Sequence, residues 1–296
     1  MQEITVAAVQ MKPALGEIED NLVKMSDFVS KIASQQKVDL ILFPELATSG
    51  YELGVKFTDV AQIVPGPTVN LLAQRAQEFG VYIGFGMVSK EKVESIIYDT
   101  AVLVGPDGEL IGEYQKTHLK GEERMAFREG FKLPVFETEI GNIGFMLGWD
   151  IAFPEVARSL ALEGAHVLCA LASWEHDEIT EWRTYVQARA FENACFVAAA
   201  NRVGEDVTVT FGGESMIVGP RGKVHASLVQ DEDEKEAKKE GEDKDDKKPA
   251  AKDEDAPPEG YCVARIDLDE VRKFREQYQT LQARQPTVYR AVVRRY

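Results

Sequence analysis

Only three cysteines occur in the 296 residues, Cys169, Cys195 and Cys262. They are far apart, odd in number and flanked by apolar residues, as in Val167-Leu168-Cys169-Ala170-Leu171. That excludes a disulfide framework and any Cys-x-x-Cys metal spacing, and predicts reduced thiols packed in buried strands. Histidine is equally scarce: His118, His166, His176 and His225 stand at no metal-site spacing, so no metal is expected. No stretch approaches the roughly 18 uninterrupted apolar residues of a membrane span. The start, Met1-Gln2-Glu3 before a short apolar run, lacks the basic leader and long apolar core of a secretory signal. A cytoplasmic protein without a membrane partner is the expectation.

Positive charge is also in short supply. Lys and Arg number 34 against 50 Asp and Glu, a formal net charge of −16. Residues 231–259 hold fourteen acidic residues and seven lysines, which account for seven of those negative charges. The other nine are spread along the chain, and such an excess of acid disfavours nucleic acid as a partner. The same segment has no aromatic or β-branched residue. It cannot bury enough apolar surface to offset chain ordering, so residues 230–260 read as a disordered or loosely helical insertion within one domain spanning 1–296.

Hydrophobic residues make up 44% of the chain, enough for a sizeable core. Apolar strands are predicted at 3–10, 39–43, 81–88, 98–104 and 110–114, then at 143–147, 167–171, 196–200, 214–218, 223–228 and 261–266. Helical spacing of apolar residues marks 18–37, 67–79, 154–164 and 179–194. The mixture implies an α/β sandwich with helices outside two sheets. Two similar turns, Gly105-Pro106-Asp107-Gly108 and Gly219-Pro220-Arg221-Gly222, hint at internal pseudo-symmetry.

Three stretches sit where strands end, the usual place for a site in layered α/β folds. In Leu42-Phe43-Pro44-Glu45 a carboxylate follows a strand-ending proline, shielded enough from water to suit general-base work. In Tyr114-Gln115-Lys116-Thr117-His118-Leu119 a lysine leaves a strand where its charge can cover a developing oxyanion, and Glu123 follows seven residues on. In Ile143 to Glu155 an apolar strand, a Gly-containing turn at Gly148-Trp149-Asp150 and a helix opening at Pro154 make the geometry that presents a nucleophile. Position 148, however, offers only backbone.

Taken together, these stretches resemble the nitrilase superfamily of carbon–nitrogen hydrolases in order and spacing. Further matching stretches are Ala172-Ser173-Trp174, Ala188-Arg189-Ala190-Phe191-Glu192-Asn193, Ala200-Asn201-Arg202 and Phe211-Gly212-Gly213-Glu214-Ser215. The resemblance covers about residues 3–228 and resumes at 261–290. It implies a four-layer αββα sandwich and a Glu-Lys-Cys triad, with Glu45 as base, Lys116 as oxyanion stabiliser and Glu123 as supporting carboxylate. Gly148 stands where the family carries its nucleophilic cysteine. The Trp149 N–H is then a second oxyanion donor, and Tyr51, Trp149, Phe153 and Trp174 are candidate substrate-binding residues. The Trp149-Asp150 pairing points to the amidase and carbamoylase branches, which hydrolyse a small linear amide or N-carbamoyl compound to acid and ammonia. The resemblance also implies a homodimer or higher homo-oligomer, with the tail 278–296 at the interface, and no cofactor.

Covalent catalysis cannot run without its nucleophile, so activity is expected to be lost or strongly reduced. Cys169, in the middle of a strand, does not replace it. Three explanations stand: an engineered inactive variant, a natural pseudoenzyme, or a water activated by Glu45 in the space beside Gly148. A non-catalytic binding or regulatory protein using the inherited pocket is the alternative function.

Overall fold

The strands, in chain order, are β1 (Glu3–Gln10), β2 (Leu40–Leu42), β3 (Tyr82–Lys90), β4 (Ile97–Val104), β5 (Leu110–Gln115), β6 (Val135–Thr138) and β7 (Gly141–Leu147). They continue with β8 (Val167–Ala172), β9 (Phe196–Asn201), β10 (Val203–Glu205), β11 (Thr210–Gly212), β12 (Met216–Val218), β13 (Val224–Ser227) and β14 (Gly260–Asp267). The α-helices are α1 (Ile18–Gln35), α2 (Phe57–Val60), α3 (Pro67–Phe79), α4 (Glu123–Ala126), α5 (Pro154–Leu162), α6 (Ile179–Asn193) and α7 (Asp269–Tyr278). The structure is a computed structural model and describes residues 2–92, 96–229 and 257–293.

Two six-stranded sheets form, in the orders β14-β1-β2-β3-β4-β5 and β13-β12-β9-β8-β7-β6. Strands β2, β8 and β9 are buried along their whole length. This explains why they read as continuous apolar runs, since both faces of each meet protein. Between the sheets lie Val6, Leu42, Phe145, Leu147, Cys169 and Phe196. Outside the first sheet, Met25, Val29 and Ile32 of α1 and Leu72 and Ala76 of α3 pack on Val9, Ile41 and Phe85. Outside the second, Val156 and Leu160 of α5 and Trp182 and Val186 of α6 pack on Met146, Leu168 and Val197. Each such side chain stabilises by roughly 1.5–3 kcal/mol, and the result is the αββα order of layers.

The pseudo-symmetry hinted at by the two turns is present in the topology. Each sheet has three consecutive parallel strands, β1-β2-β3 and β7-β8-β9. An antiparallel strand flanks each trio on one side, β14 or β6, and an antiparallel hairpin on the other, β4-β5 or β12-β13. The two Gly-Pro-x-Gly turns close those equivalent hairpins, and each hairpin has a register shift beside its turn, at Leu103/Val104 and at Ile217/Val218.

Other expectations need adjustment. The strand predicted from Glu214 begins at Met216, because Glu214 takes a left-handed φ of 58° that no ladder accepts. Strands β6, β10 and β11 and helix α7 were not foreseen. The strands are three or four residues long, and α7 buries only Val271 and Phe274, too little for a periodic signal. Of the charged insertion predicted as disordered over 230–260, residues 230–256 lie outside the described residues, as does the basic end 294–296. The insertion's last residues are held in place: Pro258 O accepts from Gln10, Glu259 accepts from Lys12 N and Gly260 opens β14. Tail residues Val288 and Tyr289 are exposed. Among the described residues no helix is long and apolar enough to cross a membrane.

Candidate active site

Glu45 follows β2 and is 1% exposed. Its backbone rests directly against β3: a Cβ added at Gly86 would lie 2.5 Å from Leu46 N and 2.6 Å from Glu45 Cα. Only glycine permits that approach, so β3 fixes the height at which the carboxylate leaves the sheet. Glu45 Oε1 accepts a hydrogen bond from Lys116 Nζ at 2.7 Å, and Oε2 accepts one from Ser173 N at 2.8 Å. Ser173 follows β8, so this last bond joins the ends of two strands that belong to different sheets.

Lys116, one residue past β5, is also 1% exposed. Its Nζ donates to Glu123 Oε1 at 2.8 Å as well as to Glu45, and lies 3.7 Å from Asp99 Oδ2 on β4. Burial alone pulls an ammonium toward neutrality, but the carboxylates around it, Glu45 first and then Glu123, outweigh it and hold Lys116 charged, well above the ordinary lysine range. Glu123 opens α4. It accepts from Tyr51 Oη at 2.6 Å and, through Oε2, from Lys120 N at 2.8 Å. Burial and then the nearby Glu123 push the Tyr51 phenol well above its usual value, so it stays a neutral donor.

Gly148 begins a 3-10 turn, Gly148–Ala152, directly after β7, with φ at +44°. A Cβ built there would point between the two charges, 2.8 Å from Lys116 Nζ and 2.9 Å from Glu45 Oε2, with Glu45 Oε1 closer still. Asp150, fully buried, ties this turn to the Lys116 segment. Its Oδ2 accepts from Tyr114 Oη at 2.6 Å and Leu147 N at 3.0 Å, while Oδ1 accepts from Thr117 Oγ1 at 2.9 Å and His118 N at 3.0 Å. One carboxylate thus sets the distance between Lys116 and position 148.

These groups surround a cavity of about 20 Å³, room for one water-sized group. Glu45, Lys116, Glu123, Gly148, Tyr51, Trp149 and Trp174 all line it, so the structure brings together seven of the eight residues singled out from sequence. Phe153 does not line it: the ring stacks on His118 at 3.8 Å between centroids and meets Trp149 edge-on. A wider cavity of about 540 Å³ adjoins through Tyr51, Lys120, Glu123 and Glu175, with Leu53, Val55, Phe57 and Val207 on its apolar side. Cys169 lies between the sheets and outside both cavities, and burial pushes its thiol far up. The other two cysteines are buried and free, although Cys195 sits between α6 and β9 and not in a strand. No group of His, Cys, Asp and Glu suited to a metal ion occurs among the described residues.

Sequence reasoning missed Asp99 and the tethering role of Asp150, and quoted Ser173 without a role. Asp99 had a signal, a lone acid inside the apolar run Ile97 to Val104.

The sequence profile described as "Carbon-nitrogen hydrolase" matches residues 5–276. A probable nitrilase of Schizosaccharomyces pombe is 42% identical over 292 residues, covering 97% of this chain and 98% of its own. A 2-oxoglutaramate amidase of Bacillus subtilis is 31% identical over 230 residues, 77% of this chain and 87% of its own. Among solved structures, the amidase from Nesterenkonia sp. AN1, with the acetamide moiety of fluoroacetamide added covalently at its active-site cysteine, superposes with a TM-score of 0.78. It is 24% identical, and 97% of this chain and 96% of that one are covered. Two six-stranded sheets, a buried Glu-Lys-Glu cluster at their edge and these matches lead to one conclusion: this chain belongs to the carbon–nitrogen hydrolase family.

Proposed function

We propose that the chain carries the site of a hydrolase for a small linear amide or N-carbamoyl compound, with turnover lost or strongly reduced because Gly148 occupies the nucleophile position. The observation that carries this reading is the direction of the missing side chain. A Cβ at 148 aims between Glu45 and Lys116, where a thiol would find both a base and a cation. Glu45 is the proposed base, Lys116 and the Trp149 N–H the proposed oxyanion donors, and Glu123 the carboxylate that holds Lys116 in place. One polar atom of the amide head reaches the small cavity, and the body of the ligand extends along the apolar side of the wider one.

Ammonia release from aliphatic amides, N-carbamoyl amino acids and nitriles tests this. Wild-type protein is expected to show no turnover above background, and Gly148→Cys to gain it on one of the amide or carbamoyl compounds. Turnover by the wild type at a rate unchanged in Glu45→Gln would sink the reading.

The second reading, a small-molecule-binding or regulatory pseudoenzyme, is favoured by how the site is knit without a nucleophile. Lys116 bridges Glu45 and Glu123 directly, which leaves a closed polar network at position 148. A Gly148→Cys protein that folds and binds an amide but stays inert supports this reading over the first. Homodimerisation through the exposed tail segment around Val288 and Tyr289 remains part of the proposal, tested by sedimentation of the full chain against a truncation before Pro286.

A further inference from the structure

Three carboxyl groups, Glu45, Asp99 and Glu123, crowd one ammonium, Lys116, and all four residues are at most 7% exposed. Were all three ionised, the cluster would hold two uncompensated negative charges away from water, which burial strongly opposes. One of them must therefore keep a proton, and the hydrogen bonds say which. Glu45 receives N–H donors on both oxygens, from Lys116 and Ser173. Glu123 also receives donors on both, from Lys116 and Tyr51 on one oxygen and from the Lys120 backbone on the other. Both are equipped as anions. Asp99 is wholly buried, and neither of its oxygens meets a donor. Lys116 Nζ, at 3.7 Å, is beyond hydrogen-bond reach. The same ammonium donates to the Glu45 carboxyl at 2.7 Å, so Lys116 holds the Asp99 and Glu45 side chains around one point.

We propose that Asp99 is a positioning residue of this site, a neutral carboxylic acid that donates its hydrogen to Glu45 and so lets Glu45 and Glu123 both stay ionised around Lys116. The cluster then carries one net negative charge instead of two. Burial, and after it the charge of Glu45, push the Asp99 carboxyl well above its ordinary range, in agreement with that geometry. The groups that face it are Glu45 beyond β2, Lys116 beyond β5 and Glu123 on α4. Lys116 also donates its backbone N–H to the Asp99 carbonyl, so any movement of Asp99 passes directly to the cation. Ionising Asp99 would add a third anion competing for Lys116 and loosen its hold on Glu45 and Glu123. The inference concerns the charge state of the cluster and holds whether or not the chain turns over an amide.

Two measurements on the full chain test it. With aspartate labelled by ¹³C at Cγ, one side-chain resonance is expected to keep its neutral-acid shift at pH 7, to vanish in Asp99→Asn and to titrate at lower pH in Glu45→Gln. An aspartate set that is fully ionised at pH 7 in the wild type overturns the proposal, with no variant needed. The second measurement is thermal stability against pH. A folded-state carboxyl raised above its unfolded value makes the folded protein hold a proton that the unfolded chain has released, so stability is lost as pH rises from about 4 toward the raised value. Asp99→Asn, which mimics the neutral acid, should remove that slope, its Tm gaining on the wild type as pH rises from 5 to 8. A Tm difference constant across that range overturns the proposal, since a merely structural aspartate would give that result.

Discussion

At position 148 the backbone takes a left-handed φ of +44°, a conformation that costs a residue with a Cβ roughly 1–2 kcal/mol. Gly148→Cys is therefore expected to lower the unfolding free energy by about that amount in urea titrations, even as it supplies a nucleophile. A thiol there also has to part the Lys116–Glu45 contact, which the flexible ends of both side chains allow. Asp150 makes the opposite kind of prediction. Its removal in Asp150→Ala leaves the buried Leu147 N without this acceptor and the half-buried His118 N short of one, while Tyr114 Oη falls back on Thr117 Oγ1. The loss should be about 1–3 kcal/mol, read by the same titration, because that is the cost of one buried donor left unmet. Glu45, Lys116 and Glu123 were legible in the sequence because strand ends and a distinctive motif mark them. Asp150 was not, because its importance lies in partners that the chain meets only after folding, and Asp99, a lone acid in an apolar strand, was marked as unusual without its partners being readable.

Among the elements, β3 has a duty beyond its place in the sheet, because its Gly86 supports the loop that carries Glu45. Gly86→Ala puts a methyl against the backbone of Glu45 and Leu46, where nothing flexible can yield. Overpacking of this kind costs about 1–3 kcal/mol. The expected result is a displaced Glu45, seen as weaker amide binding by calorimetry than in Gly84→Ala, whose methyl meets the side chains of Leu42 and Phe145 away from that loop. Most strands and the long helices could be read from sequence, to within a few residues, because both are strongly apolar or strongly periodic. Strand β6 and helix α7 were hidden for the opposite reason. Val-Phe-Glu-Thr is too short to show alternation, and α7 turns only two apolar side chains inward along ten residues.

For the molecule as a whole, the charged segment 231–259 separates the last strand of one sheet, β13, from the edge strand of the other, β14. It is proposed to be a surface insertion, so replacing 231–256 with a short Gly/Ser linker should leave the thermal midpoint unchanged while raising the isoelectric point. A lower midpoint would mean the segment packs on the fold. The sequence carried the layer order through its alternation of strands and helices, but nothing in it said which strands would end face to face. The repeated sheet layout supplies that, and it also divides the site. Glu45, Asp99, Lys116 and Glu123 all come from the first repeat, whereas Gly148, Trp149 and the Ser173 amide come from the second. The first repeat contributes Glu45, Lys116 and Glu123, together with Tyr51 and Lys120, and the second contributes backbone, the Trp149 and Trp174 walls, and Glu175 and Glu178 beside Lys120. A chain built this way joins its two halves at the site, so a codon change at position 148 in one half is felt at once by charged groups that the other half encodes.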